Sequence, residues 1–286
     1  MNTSPFPPLN IVQLLRQHGL RPDPRLGQNF LIDETALLKV VQAAEIQPGE
    51  TVLEIGPGLG SLTRHLARAS RQVVAVELDH RLLPLLSQVL SEFPNIKIIT
   101  GDILGFDPAE IIPAGEYLVA ANIPYNITSA LIRHLLEAGR RPSRVILTVQ
   151  REVAERICAA PGNMSLLALS VQLYGLPKIH ARIPAGAFYP APKVDSAVVR
   201  VDLYPTSRLT PPQVQSFFRL AKAGFSQKRK TLRNALSAGL GWQPDQAAEM
   251  LQSAGILPQR RAETLSLEEW FVLVDAFNGI QSRPAG

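Results

Sequence analysis

The residues with the clearest chemical use are Asn122-Ile123-Pro124-Tyr125. They follow a short apolar run, Tyr117 to Ala121, that reads as a buried strand. An amide, a rigid proline and an aromatic ring then stand together at the strand's end. That set suits the holding of a flat, amine-bearing ring such as adenine. Alone, the four residues read more simply as a turn, since Asn-x-Pro opens turns and a tyrosine often closes a core edge.

Three further positions change that balance. Glu54-Ile55-Gly56-Pro57-Gly58-Leu59-Gly60 follows an apolar run, where glycines allow a tight turn and close approach to a ligand. Glu77 ends the next apolar run, where an acid can accept from two ribose hydroxyls. Gly101-Asp102 ends a third, and Asp102 can accept from an exocyclic amine or simply cap a turn. With Asn122, four consecutive strand ends carry polar groups. In open α/β sheets that edge is where ligands bind.

The elements that must position these residues follow from the periodicity. Strands are predicted at 51–55, 72–77, 95–100, 117–121 and 144–149, with helices at 60–69, 79–91 and 128–138 between most of them. Near-continuous apolar strands alternating with helices mean a parallel sheet covered on both faces. Helices at 9–18 and 33–44 precede this block, Asp33 serving as an N-cap. Helices near 151–158 and 164–174 and strands at 177–183 and 197–204, an expected antiparallel edge pair, follow it. After Pro205 the pattern becomes all helical, near 212–223, 228–238, 244–253 and 266–277. The expected division is 1–205 and 206–286.

Composition bounds the function class. The chain has 286 residues, 46% of them hydrophobic, enough for a substantial core. One cysteine, Cys158, permits no internal disulfide, and the five histidines form no ligand-spaced pair, so no metal is expected. No apolar run reaches the length of a membrane span and no secretory signal opens the chain, so a reducing, cytoplasmic setting is the expectation. Residues 1–205 hold 19 Lys/Arg and 18 Asp/Glu, a net of +1, whereas 206–286 hold ten and six, a net of +4. Arg219, Lys222, Lys228, Arg229, Lys230 and Arg233 lie there without an acid among them. A polyanion such as nucleic acid is the natural partner, against the simpler reading of a solvated face.

Together these motifs resemble the ribosomal RNA adenine dimethyltransferases. The resemblance rests on Gly27-Gln28-Asn29-Phe30-Leu31, the Glu54–Gly60 loop, Glu77, Gly101-Asp102 and Asn122–Tyr125, with Phe188-x-Pro190-x-Pro192-x-Val194-x-Ser196 as a further motif. Phe225-Ser226-Gln227-Lys228-Arg229-Lys230-Thr231-Leu232-Arg233-Asn234 is similar to the bacterial small-subunit branch, the KsgA/RsmA type. The match runs from about residue 25 to 275. One departure is Ala121, where the family often has glycine before the motif's asparagine.

The resemblance implies a Rossmann-like methyltransferase domain with a small helical RNA- or ribosome-binding domain after it. The cofactor it implies is S-adenosylmethionine. Gln28, Asn29 and Leu31 would close over it, Gly56 and Gly58 line its methionine part, Glu77 hold the ribose and Asp102 the adenine amine. Asn122 and Pro124 would hold the target adenine N6, with Tyr125 and Phe188 stacking on the base. Phe188 also reads as a core residue held by a proline-rich loop. The implied substrate is a pair of adjacent adenosines in the 3′-terminal hairpin loop of 16S rRNA, methylated during ribosome biogenesis by a monomer. Three other readings remain at this point: a 23S methyltransferase of the erythromycin-resistance type, a nicotinamide-dependent dehydrogenase and a non-catalytic assembly factor.

Overall fold

The structure, a computed structural model, describes residues 6–122 and 128–281. The chain divides into two compact units, one of 1–155 and 176–203 and the other of 156–175 and 204–286. A single cut near residue 205 would leave 156–175 with the first unit; the structure puts them with the second.

In chain order, α1 (Ile11–Gln17), β1 (Phe30–Leu31) and α2 (Glu34–Ala44) come first. Then β2 (Thr51–Ile55), α3 (Ser61–Ala69), β3 (Gln72–Glu77), α4 (Leu83–Val89), β4 (Ile96–Thr100), α5 (Pro108–Ile111), β5 (Tyr117–Asn122), α6 (Thr128–Glu137) and β6 (Arg144–Gln150) alternate. Next are α7 (Arg151–Ile157), α8 (Leu166–Gln172), β7 (Gly175–Ile183), β8 (Phe188–Tyr189) and β9 (Ser196–Leu203). Last come α9 (Pro211–Gly224), α10 (Leu232–Leu240), α11 (Pro244–Ser253) and α12 (Leu267–Gln281).

The main sheet runs β4-β3-β2-β5-β6-β9-β7. The pairs from β4 to β6 are parallel, and β6 pairs with β9 antiparallel. Chain order reverses between β2 and β5, the switch point where an open sheet leaves a crevice beyond its strand ends. The central strands are apolar and buried along nearly their whole length, as two covered faces require. This is the expected Rossmann-like α/β arrangement.

Two local devices aim the site. Asp33 caps α2 by accepting from the Ala36 N–H at 2.7 Å. A two-stranded sheet pairs β1 with β8, Phe30 opposite Tyr189 and Leu31 opposite Phe188. Neither strand was expected from periodicity, because two residues are too few to show one. Leu31 and Phe188 belong to the core cluster under α2 and α3. Phe30 belongs to a second cluster, with Ile11 and Leu15 of α1, Leu82 just before α4 and Leu85 within it.

The second unit is helical around Trp270, Phe217 and Phe277, all fully buried. Phe225 stacks on Trp270 and Trp242 on Phe277, with ring centroids 5.9 and 5.6 Å apart. The expected helix at 228–238 starts later. Lys228 to Lys230 lie in the turn between α9 and α10, and the Thr231 hydroxyl caps α10 by accepting from the Asn234 N–H. Capping by threonine therefore outweighs the helical propensity of the lysines before it. No described helix is long and apolar enough to cross a membrane.

Candidate cofactor cleft and target-adenine site

A cleft of about 1070 Å³, its open mouth included, lies beyond the ends of β2, β3 and β5. Gln28, Asn29, Leu31, Gly56, Gly58, Glu77, Asp102 and Asn122 all line it. Eight positions spread over 95 residues of sequence thus come together at one place.

The glycine loop owes its shape to backbone that other residues avoid. Gly56 and Gly58 have φ of +70° and +61°. A Cβ on Gly58 would stand 2.9 Å from the Phe30 ring, so β1 can close over the loop only while position 58 is glycine.

Glu77 fixes that loop from the neighbouring strand. One carboxylate oxygen accepts from the Gly58 N–H at 2.9 Å and the other from the Asp79 N–H at 2.8 Å. Each oxygen keeps a further lone pair for a ligand hydroxyl. Burial pushes the Glu77 carboxyl above its ordinary range, against the pull of those two bonds. Asp102 is exposed and accepts from the Leu104 N–H at 3.0 Å.

Gln28 does more than line the cleft. Its Nε2 donates to Asp79 at 2.8 Å and its Oε1 accepts from the Asp23 N–H at 2.8 Å. Arg81 holds Asp79 at 2.6 Å and, as the leading cause, brings its pKa down to about 2. Asp79 and Gln28 thus tie the segment before β1 to the end of β3.

Two cleft residues were missed as ligand-facing groups. Glu54, 1% exposed, has one carboxylate oxygen without a hydrogen-bond partner. Burial, with the charge of Glu77 adding to it, pushes Glu54 up to about 8. The signal in the sequence was an acid inside an otherwise apolar strand. Leu78, half exposed at the cleft's edge, is an apolar face that a planar ring can cover.

The charge of the lining decides what it can take. Its titratable members are Glu54, Glu77 and Asp102, and none of the described lining residues is Lys, Arg or His. A pyrophosphate would meet three carboxyl groups and no cation, whereas a ligand carrying positive charge would meet complementary groups. The orphaned oxygen of Glu54 and the cradle at Gly58 both fit S-adenosylmethionine, which is a nucleoside with a sulfonium and an ammonium.

Asn122 lines this cleft and donates through Nδ2 to the Asn29 carbonyl at 2.9 Å. Pro124 and Tyr125 lie outside the described residues. Phe188 is not brought to the lining. It is 3% exposed, in the cluster with Leu31, Ala187 and Val198. Strand alternation is the reason: β8 turns Phe188 inward and leaves Tyr189, half-buried, against the cluster of α1 and Phe30. Arg219, Lys222, Lys228, Arg229, Lys230 and Arg233 of the second unit are all exposed. Arg219 lies over the Phe277 ring, 5.3 Å from its centroid.

Comparison with known proteins agrees with this geometry. Residues 20–279 match the family model described as ribosomal RNA adenine dimethylase. A protein of Dehalococcoides mccartyi named ribosomal RNA small subunit methyltransferase A is 46% identical, over 91% of this chain and 90% of its own. One of the same name from Pelotomaculum thermopropionicum is 42% identical, over 94% and 96%. Among solved structures, a dimethyladenosine transferase from Plasmodium falciparum has a TM-score of 0.76 at 25% identity, covering 87% of this chain and 98% of that one. The 23S rRNA methyltransferase ErmE has a TM-score of 0.71 at 28% identity, covering 87% and 100%. The chain belongs to the ribosomal RNA adenine dimethylase family, S-adenosylmethionine-dependent enzymes that methylate adenine in ribosomal RNA.

Proposed function

We propose that this enzyme dimethylates N6 of two adjacent adenosines in the 3′-terminal hairpin loop of 16S rRNA, in the small ribosomal subunit, as a cytoplasmic monomer acting in ribosome biogenesis. The observation that carries the cofactor half is a cleft lined by three carboxyl groups and no base among its described residues. The substrate half rests on near full-length relatives named for the small subunit, and on the exposed basic run of the second unit.

When bound, S-adenosylmethionine supplies a methyl group activated by a positively charged sulfur. Glu77 would take the ribose hydroxyls on its remaining lone pairs, and Asp102 the adenine amine. Glu54 would offer its unpartnered oxygen to the cofactor's positive charge, and Gly56 and Gly58 would let the backbone come close. Asn122 Oδ1 accepts one N–H of the target amine, which turns the nitrogen lone pair out of conjugation and toward the methyl. A main-chain carbonyl at Ile123 or Pro124 would accept the other N–H, and Tyr125 would stack on a base that has left its own stack, worth about 1–3 kcal/mol. Catalysis is then positioning and electrostatics, with no metal or covalent enzyme intermediate in the scheme. Arg219, Lys222, Lys228, Arg229, Lys230 and Arg233 grip phosphates.

The test is nucleoside mass spectrometry after incubation with labelled donor and, separately, unmethylated small subunits, naked 23S RNA and DNA. Dimethyladenosine in the small-subunit RNA alone is expected. Label confined to 23S RNA would move the enzyme to the erythromycin-resistance type.

A further inference from the structure

The Asn122 amide has two ends, and one is already committed. Nδ2 donates to the Asn29 carbonyl at 2.9 Å, across 93 residues of sequence. Only the nitrogen end of an amide can face a carbonyl, so this bond turns Oδ1 the other way. The carbonyl is itself held on both sides. Before it, Gln28 is tied to Asp79 and to the Asp23 N–H, each at 2.8 Å, and the Asn29 side chain donates to the Gly27 carbonyl at 3.1 Å. After it, Phe30 and Leu31 pair with β8, and the Ile32 N–H donates to the Ala187 carbonyl at 2.9 Å.

We infer that the Asn29 main-chain carbonyl is a positioning group for methyl transfer: it locks the Asn122 amide with Oδ1 toward the target amine, and so makes an amide obligatory at position 122. The inference rests on the proposed role of Asn122 as acceptor for that amine. As an acceptor alone, a carboxylate is the stronger group. It fails here because an anionic oxygen would face the lone pairs of the Asn29 carbonyl at hydrogen-bond distance, with nothing to donate. A protonated carboxyl restores both bonds, since its hydroxyl donates to Asn29 while its carbonyl oxygen accepts from the amine. Glu54 on β2, Glu77 on β3 and Asp102 after β4 share the cleft, and no Lys, Arg or His does among the described lining residues. Glu54 itself stays largely uncharged up to about pH 8, so Glu77 and Asp102 are the acids whose charge raises the pKa of a carboxyl at 122.

The inference also gives the Gln28–Asp79 bond a task. It steadies the carbonyl that steadies the amide, so weakening it lowers turnover more than donor affinity.

The test compares Asn122→Asp and Asn122→Ala with the wild-type enzyme from about pH 5.5 to about pH 8.5, using unmethylated small subunits and saturating S-adenosylmethionine. Each rate is divided by the wild-type rate at the same pH, and donor affinity is read by calorimetry. Donor affinity is expected to stay within about fivefold in both variants, with Ala at least about 100-fold slow throughout. The Asp variant is expected to match Ala at the alkaline end and to exceed it by about tenfold or more at the acid end. An Asp variant within about tenfold of wild type at the alkaline end, or one that follows Ala at every pH, overturns the inference while leaving the role of Asn122 intact. Full activity in Asn122→Ala refutes that role and the inference with it. A readout that needs no active variant is the Asn122 side-chain amide signal in wild-type protein labelled at asparagine nitrogen. Protection from solvent exchange is expected, and exchange at the rate of an exposed amide overturns the lock.

Discussion

The cleft of the first unit and the basic turn of the second are opposites in charge, burial and tethering. The cleft's titratable groups are all acids, and two of them are buried. Glu77 and Asn122 are each held by a named hydrogen bond. The basic residues at 228–230 are exposed and sit in a turn between helices. Buried, tethered groups define where a ligand's atoms must lie, and low exposure strengthens their electrostatics. Exposed cations define little geometry and act through many weak, salt-screened interactions. One region is built to place a methyl group, the other to hold a polyanion in many registers.

The sharpest way to break this contrast is at Asn122. Its replacement by alanine removes the acceptor for the target amine, and transfer should fall by about 100-fold or more at near-normal donor affinity. Single-turnover rates with unmethylated subunits check this, and an unimpaired variant would show that the amide positions nothing.

Gly58→Ala comes next. The new methyl meets both a left-handed backbone and the Phe30 ring. A stability loss of about 2 kcal/mol or more is expected, with weaker donor binding, read by thermal unfolding and calorimetry. Unchanged values would mean that β1 yields freely.

A smaller effect with a definite sign belongs to Glu54. Its pKa rises from 4.5 to about 8, so between those values the folded protein keeps a proton that the unfolded chain gives up. Stability attributable to this group therefore falls as pH rises through that window. Glu54→Gln should raise the melting temperature at about pH 8, leave it unchanged at about pH 4, and lower donor affinity about tenfold. A variant with the wild-type pH dependence would place the buried charge elsewhere.

How much of this could be read beforehand depended on the kind of signal. The strands β2, β3 and β5 were legible because burial on both faces forces unbroken apolar runs, and the polar residues at their ends stand out. The Asn29–Asn122 bond was not, since nothing local marks a link between residues 93 apart. The pairing of β1 with β8 escaped for want of length. Phe188 was ambiguous because the same aromatic serves a core or a base, and its type and spacing alone do not say which. The basic run was legible in composition but not in form, because Thr231 starts the helix after it rather than before it.

The central claim is that placement and grip are separate, and a salt titration of both tests it most directly. Wild type and the Lys228→Ala, Arg229→Ala, Lys230→Ala triple variant would be titrated with donor and with unmethylated small subunits from low to high salt. The account predicts donor affinities that agree between the two proteins. It predicts a slope of log affinity for subunits against log salt that is shallower in the variant, by about one for each phosphate no longer neutralised. An unchanged slope would reduce the basic turn to a solvated face, and a fall in donor affinity alongside it would contradict the separation itself.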